Sequence, residues 1–497
     1  MRITNKIVHI AIFSILGLMS CKKSYLDINT DPNFVTDVPP KVLLPAATVS
    51  LAFANGNELG KAAALLMQYN AGVGGVSSAY DTWIFNDFSS QWSNELYGQA
   101  MNNLGIIIQK TQLNSPVYSG IARLEFAYTA SMATDLFGDV PYSQAAQGID
   151  STSGFPKVEK PRFDAQKDIY LGNSELGIIS LLNVVRQGLA EISRPSLSKP
   201  GSDDVVYKGD LTKWTKFGNS LLLKLALQVS NKAPDTTRNV ITDVLSKTFI
   251  GSDAGDGTGV SDFNVPWTVN NPNPYYLQDI GGSIPNTQML SNRFLSLERS
   301  FKDSLRLSKM YTKPAATFVG YDNGSPFTAP ALATRSVYGT YVLGATRSGE
   351  APIRLISAFR NYFILAEAML RFGVAGDPNV YYQKGISAAM LSTGLTATDV
   401  ANYFAANPTI VTLSGTDQQK LQQIITQKYI ASVGNAIESY NDYRRTGYPI
   451  LTAPQQTFGD DPLTFPQRFP YTSTEGSSNP NQPNPRPKTN TKVWWAL

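Results

Sequence analysis

Apolar residues recur at spacings of three and four along much of this chain, so its fold must be built from helices that each bury a face. Ile121, Leu124, Tyr128, Met132 and Leu136 make one such face, stopped by Gly138 and Pro141. Asp210 is placed to cap a second helix carrying Trp214, Phe217, Leu221, Leu225 and Val229 on one side, which assigns Trp214 to the core. Phe359 to Phe372 is apolar on nearly every face, the pattern of a buried helix, and stops at Gly373. Asp377 and Pro378 offer a cap and a pre-set first turn for Val380 to Ser392. Thr416 and Gln419 form a capping box ahead of Leu421 to Val433. Further helices are expected near 44–70, 92–110 and 166–187.

The connections are long. Residues 71–91, 251–290 and 313–350 are rich in Gly, Asn, Ser, Thr, Pro and aromatics and carry little periodicity. Unstructured connections beyond about 15 residues are usually functional or disordered, and the aromatic content argues against disorder. The tail from Pro454 is rich in Pro, Asn and Gln yet ends in Trp494-Trp495, so it is expected to pack back onto the body.

The N-terminus reads as a targeting segment. Arg2 and Lys6 precede the apolar run Ile7 to Leu18, which is too short to span a bilayer comfortably but suits a signal peptide. The run ends in Leu18-Met19-Ser20-Cys21, which resembles the lipobox of bacterial lipoproteins. Residues 1–20 are therefore expected to be a cleaved lipoprotein signal and residues 21–40 a tether lipidated at Cys21, leaving 41–497 as one domain. Several acyl chains anchor stably where one does not.

Cysteine and histidine counts then remove chemistry. The only Cys is Cys21 and the only His is His9, inside the segment to be cleaved. A mature chain without histidine or free thiol excludes Ser-His-Asp and Cys-His nucleophiles and every His-ligated zinc site. The formal charge of +4 over 497 residues, with no dense basic block, gives no footprint for nucleic acid. The aromatic content of 11% with few charges suits either a generous core or a surface built for stacking flat ligands. A flat ligand with a polar edge calls for an aromatic platform flanked by polar side chains. Tyr80, Trp83 and Trp92, with Asp81, Asn86 and Asn94 nearby, form one candidate platform, although Trp92 leads a helix and also fits a structural place. Trp267, Tyr275 and Tyr276, separated by Asn270, Asn271 and Asn273, form the second.

Other groups read more plainly as structure. Arg444-Arg445 is expected to tie the C-terminal segment to the helices. Glu367, in an apolar helix, needs a buried partner. Asp253, Asp256 and Asp262 offer oxygen ligands for calcium, but their spacing does not match an EF-hand and a solvated turn is the better reading. Gly72, Gly74 and Gly75 are followed by no Lys-Ser/Thr and make no phosphate loop. No other cofactor is implied.

Several strings, in order, resemble the SusD/RagB family of outer-membrane lipoproteins. They are Leu136-Phe137-Gly138-Asp139-Val140-Pro141-Tyr142 with Pro161-Arg162-Phe163-Asp164-Ala165-Gln166, then Tyr207-Lys208-Gly209-Asp210 with Lys213-Trp214-Thr215-Lys216-Phe217-Gly218-Asn219-Ser220-Leu221. Leu365-Ala366-Glu367-Ala368, Gln427-Lys428-Tyr429, Tyr443 to Pro449, Arg468-Phe469-Pro470-Tyr471 and Val493-Trp494-Trp495 complete the set. The resemblance implies a mainly α fold of four degenerate tetratricopeptide-like helix pairs with long loop-rich insertions. It also implies a non-enzymatic nutrient binder, taking oligosaccharide or peptide, that serves as the lid of a SusC-like TonB-dependent transporter at the outer membrane, facing the extracellular side. Two alternatives stay open: a glycoside hydrolase working with paired carboxylates and no histidine, and a helical-repeat scaffold that binds only protein.

Overall fold

The computed structural model describes residues 38–147, 158–253 and 255–497; the signal, Cys21 and most of the tether lie outside them. Helices dominate. The expected helix at 121–136 runs Pro116–Phe137, because Pro116 supplies a pre-set first turn and small residues extend the buried surface upstream. Asp210 caps Leu211–Gln228 through the N–H groups of Thr212 and Lys213. Asp377 caps Pro378–Ser392, and the Thr416/Gln419 capping box opens Asp417–Ala431.

Two expected helices are each broken in two, and a third runs unbroken with a change of winding. Residues 44–70 form Pro40–Gly56 and Glu58–Leu66, parted at Asn57. Residues 92–110 form a wide π-type helix, Gln91–Met101, that passes into Asn102–Thr111. Residues 166–187 form Gln166–Leu171 and Leu181–Ile192, with Gly172 at a φ of 84° ending the first.

Helices pair where small residues let backbones meet. A Cβ at Gly120 would lie 2.7 Å from the Gly188 carbonyl oxygen, so Pro116–Phe137 and Leu181–Ile192 cross nearly in backbone contact. Gly385 faces the Phe363 ring, where a Cβ would come within 2.7 Å, and so Ala358–Arg371 packs on Pro378–Ser392. Leu211–Gln228 pairs with Pro234–Leu245, and Pro40–Gly56 with Gln91–Met101.

Among the described residues, three short antiparallel ladders tie the connections down. Asn70–Gly72 pairs with Gln288–Leu290, Val140–Pro141 with Phe163–Asp164, and Phe263–Val265 with Ile353–Ile356. The first joins two of the long connections directly. The connection 313–350 is joined to the first of these by Asp81, whose carboxylate accepts the Asn323 amide and, at 2.6 Å, the Gly324 N–H. Burial pushes the Asp81 carboxyl up to about 7 against those hydrogen bonds.

The helices are locked together by buried charge. Glu367, fully buried, receives both terminal nitrogens of Arg445, one at 2.8 Å, and Arg371 at 2.6 Å. Arg445 also reaches Asp442 at 2.9 Å, and Asp442 takes Lys428 at 2.9 Å. Arg360 and Lys224 each reach Glu438 at 3.1 Å, and Lys224 lies 3.7 Å from Asp135. Five helices thus share one network. The tail closes onto it: Trp495 donates to Asp135 at 3.0 Å, and Arg444 lies over its ring and donates to the Gln467 carbonyl at 2.9 Å. Glu367 and Arg444-Arg445 therefore hold the structural places expected of them. Asp253 pairs with Lys216 and Asp262 accepts the Ala358 N–H, so these two do not converge on a cation; the Asp256 side chain lies outside the described residues.

Removing one partner strands the other in a dry interior, so Glu367→Gln should lower unfolding free energy by roughly 3–5 kcal/mol, measured by denaturant titration. Burial alone would raise Asp442, but Lys428 and Arg445 override it and hold it at about 2. A carboxylate held below its ordinary range stabilises the fold above that range and loses the effect as pH falls through its folded value. Denaturant midpoints should therefore drop between about pH 4 and pH 2; a flat acid limb would contradict the network.

Candidate functional site

The helix break at Asn57 is where both sequence-defined clusters meet. Gly56 ends Pro40–Gly56 against Pro274 and Tyr275; a Cβ there would come within 2.7 Å of the Pro274 ring. Asn57 then turns outward. Its amide donates to Glu95 at 2.6 Å, and its carbonyl oxygen accepts the Gln278 amide. Gln91 adds a 3.4 Å hydrogen bond to the same Glu95 oxygen. The next residue, Glu58, accepts the Tyr80 hydroxyl at 2.6 Å, and Asn86 hydrogen-bonds that hydroxyl from the loop. One turn before Asn57, half-buried Phe53 carries Trp267, with ring centroids 6.2 Å apart.

Three polar atoms of this patch are enclosed without a protein partner: Glu95 Oε2, Gln278 Oε1 and the Trp267 indole N–H. Two accept and one donates. Burial raises the Glu95 carboxyl; the Asn57 and Gln91 amides oppose that rise, and the neighbouring Glu58 charge adds to it. Such an arrangement suits a ligand whose groups both donate and accept, as a hydroxyl does.

The predicted platform needs correction in its geometry. Tyr80, Trp83, Trp92, Asn273 and Tyr275 are buried, so they offer no open face. Trp92 stands edge-on to Phe137 at 5.0 Å and donates to Glu475 at 3.2 Å, knitting the tail to the helix it begins. Trp83, at a φ of 68°, meets the edge of Phe465 and anchors the turn after Gly75–Asp81. Asn273 caps Pro274–Asp279 and donates to the carbonyls of Val342 and Ala351, both at 2.9 Å. Tyr275 donates to the Gly434 carbonyl at 2.7 Å. Aromatic side chains in these connections are needed to fasten them, because the connections have no regular backbone ladder of their own length. Half-buried Trp267 and Tyr276 and exposed Asn86 stay at the surface. Of the buried five, Tyr80 still brings its hydroxyl to the patch.

Asn57, Glu58, Gln91, Glu95 and Gln278 escape sequence reasoning. They sit at helix starts and on helix flanks, where polar residues are ordinary, and only the break at Asn57 converts them into a cluster.

Paired helices thus carry irregular connections that gather amides, carboxylates and a tryptophan at one helix junction. The sequence matches the SusD-like family model described as "Starch-binding associating with outer membrane" over residues 32–472. The chain belongs to this family, the SusD/RagB proteins. No curated protein matches it. Solved structures share the fold. A chitin-binding protein is 21% identical over 92% of this chain and 100% of its own, with a TM-score of 0.76. A chitin-binding SusD homologue from Flavobacterium johnsoniae is 20% identical over 92% and 97%, with a TM-score of 0.73. A SusD homologue from Bacteroides uniformis is 23% identical over 92% and 98%, with a TM-score of 0.70.

Trp92→Ala should destabilise the fold by roughly 3–5 kcal/mol, as deletion of a buried aromatic does. Trp267→Ala should cost much less. Thermal melts of the two variants check this, and equal losses would place Trp267 in the core.

Proposed function

We propose that this chain is a non-catalytic nutrient binder that holds a neutral oligosaccharide against the Asn57–Glu95–Gln278 patch. The reading rests first on the three enclosed polar atoms there, which a hydroxyl-rich ligand satisfies and the protein itself does not. Family membership and the chitin-binding titles of two structural relatives support the ligand class. Trp267, Tyr276 and Asn86 supply contacts at its rim. Tyr80, Trp83, Trp92, Asn273 and Tyr275 act behind it by fixing the connections that carry those contacts.

In the wider assembly the protein is a lid that delivers its ligand to a SusC-like TonB-dependent transporter, held at the outer face of the outer membrane by acyl groups on Cys21. Among the described residues no helix is long and apolar enough to cross a membrane, so attachment in this reading falls to Cys21. Within this patch the neighbouring carboxylates Glu58 and Glu95 are the pair a hydrolase would use. Glu58 accepts the Tyr80 hydroxyl, and one oxygen of Glu95 accepts the Asn57 and Gln91 amides; family membership favours binding.

Isothermal titration with the hexamers of N-acetylglucosamine and of glucose should give saturable binding of one or both, with the sugar recovered intact after prolonged incubation. Gln278→Ala should weaken it about ten-fold, the scale of a hydrogen bond to a buried charged network. Shortened products would establish the hydrolase instead. In cells, labelled palmitate should enter the wild type and not Cys21→Ala, and mild detergent extraction should recover a large β-barrel protein with the chain. Recovery of the chain alone would count against the lid.

A further inference from the structure

The geometry points to a second saccharide-binding cleft, centred on Gln68 and Arg293, that shares no residue with the patch around Asn57. Gln68 follows Glu58–Leu66 in a left-handed conformation, at a φ of 57°, and is 3% exposed. A buried non-glycine residue held there is strained, and such strain gathers at binding and switch sites. Its amide nitrogen donates to the Thr452 carbonyl, which fixes the orientation of the group. The other amide atom, Oε1, is enclosed and has no donor from the protein. Gln68 and Thr452 line an open cleft of about 410 Å³ together with Asn292, Arg293 and Ser296. Past Arg293 the surface continues into a second cleft of about 350 Å³, walled by Gln419, Gln422, Gln423, Phe301 and Ile450.

The lining selects the ligand. Arg293 and Asp322 are the only charged side chains of the two clefts, and they offset one another. Asp322 is itself held by the amides of Asn292 at 2.7 Å and Gln455 at 3.1 Å. An anionic polymer finds no surplus of positive charge, and a cationic one no surplus of negative charge. Side-chain amides predominate instead, each presenting a donor and an acceptor side by side. The free acceptor at Gln68 wants a hydroxyl or N–H, while Arg293 offers only donors. A hydroxyl serves both. Two clefts joined through one arginine suit a linear chain of several units, and Phe301 and Ile450 offer apolar contact for C–H faces. The ligand class is therefore a neutral oligosaccharide.

The test uses the full chain and titration calorimetry with the hexamers of N-acetylglucosamine and of glucose. Trp267→Ala, which impairs the first patch, is the background. Residual hexamer binding should persist in it and fall about ten-fold on adding Arg293→Ala, the scale of a lost hydrogen bond to a charged group. Ser296→Trp, an exposed position on the wall, should block the cleft by bulk and lose that residual binding too. The cleft is refuted if both added substitutions leave the affinity unchanged, if Trp267→Ala alone removes all binding, or if only peptides bind. Hexamer binding lost on Ser296→Trp yet unaffected by Trp267→Ala would establish the cleft and discard the first patch.

Discussion

The pairing of Glu367 with Arg445 organises much of what surrounds it. Burying a lone carboxylate in an apolar helix is costly, and the guanidinium that meets it is equally buried. Neither group is tolerable without the other, so Ala358–Arg371 and the C-terminal helix Ala436–Thr446 must dock in one register. Asp442 and Lys428 carry the constraint to Asp417–Ala431, and Glu438, Lys224 and Asp135 carry it to two helices of the first half. A hydrophobic interior alone would permit helices to slide by a turn. A chain of matched charges specifies one arrangement, a use of buried ion pairs that concerns specificity more than net stability.

Once the helices are fixed, the long connections have fixed ends, and their own aromatic residues hold them between those ends. Rings from distant segments meet edge-on or stacked: Phe88 lies on Phe469 with centroids 4.8 Å apart, and Tyr69 on Tyr429 at 4.3 Å. The ladder between Asn70–Gly72 and Gln288–Leu290 sets one connection beside the other. The break at Asn57 then matters, because it turns polar side chains outward between them. Rigid helices position the site while irregular backbone supplies its contacts, which is how loop-borne binding surfaces reach specificity.

Much of the fold was legible in the sequence because its signals are local. Caps at Asp210, Asp377 and Thr416 fall where expected, and the glycine stop after Phe137 holds. The packing of the Trp494-Trp495 end and the need of Glu367 for a buried partner were also readable, as groups in places that demand burial or compensation. The candidate patch was only half legible. Sequence proximity brought out the right connections, but an aromatic in a long loop serves as anchor or platform according to tertiary packing. Tyr80, Trp92 and Tyr275 became anchors, whereas Trp267 and Tyr276 kept surface positions, Trp267 with an enclosed, unpaired N–H. Helices Pro234–Leu245 and Ala397–Ala406 were missed although local signals mark their starts, Pro234 in the first turn of one and the Thr396/Asp399 capping box of the other.

The central claim is that a neutral oligosaccharide is held where the helix break at Asn57 gathers two distant connections. Amide hydrogen exchange with and without a bound hexasaccharide tests it directly. The account predicts slowed exchange in segments 53–58, 82–95 and 267–280 together, with the charge-locked helices unchanged. Protection confined to other segments, with these three exchanging as before, would contradict it.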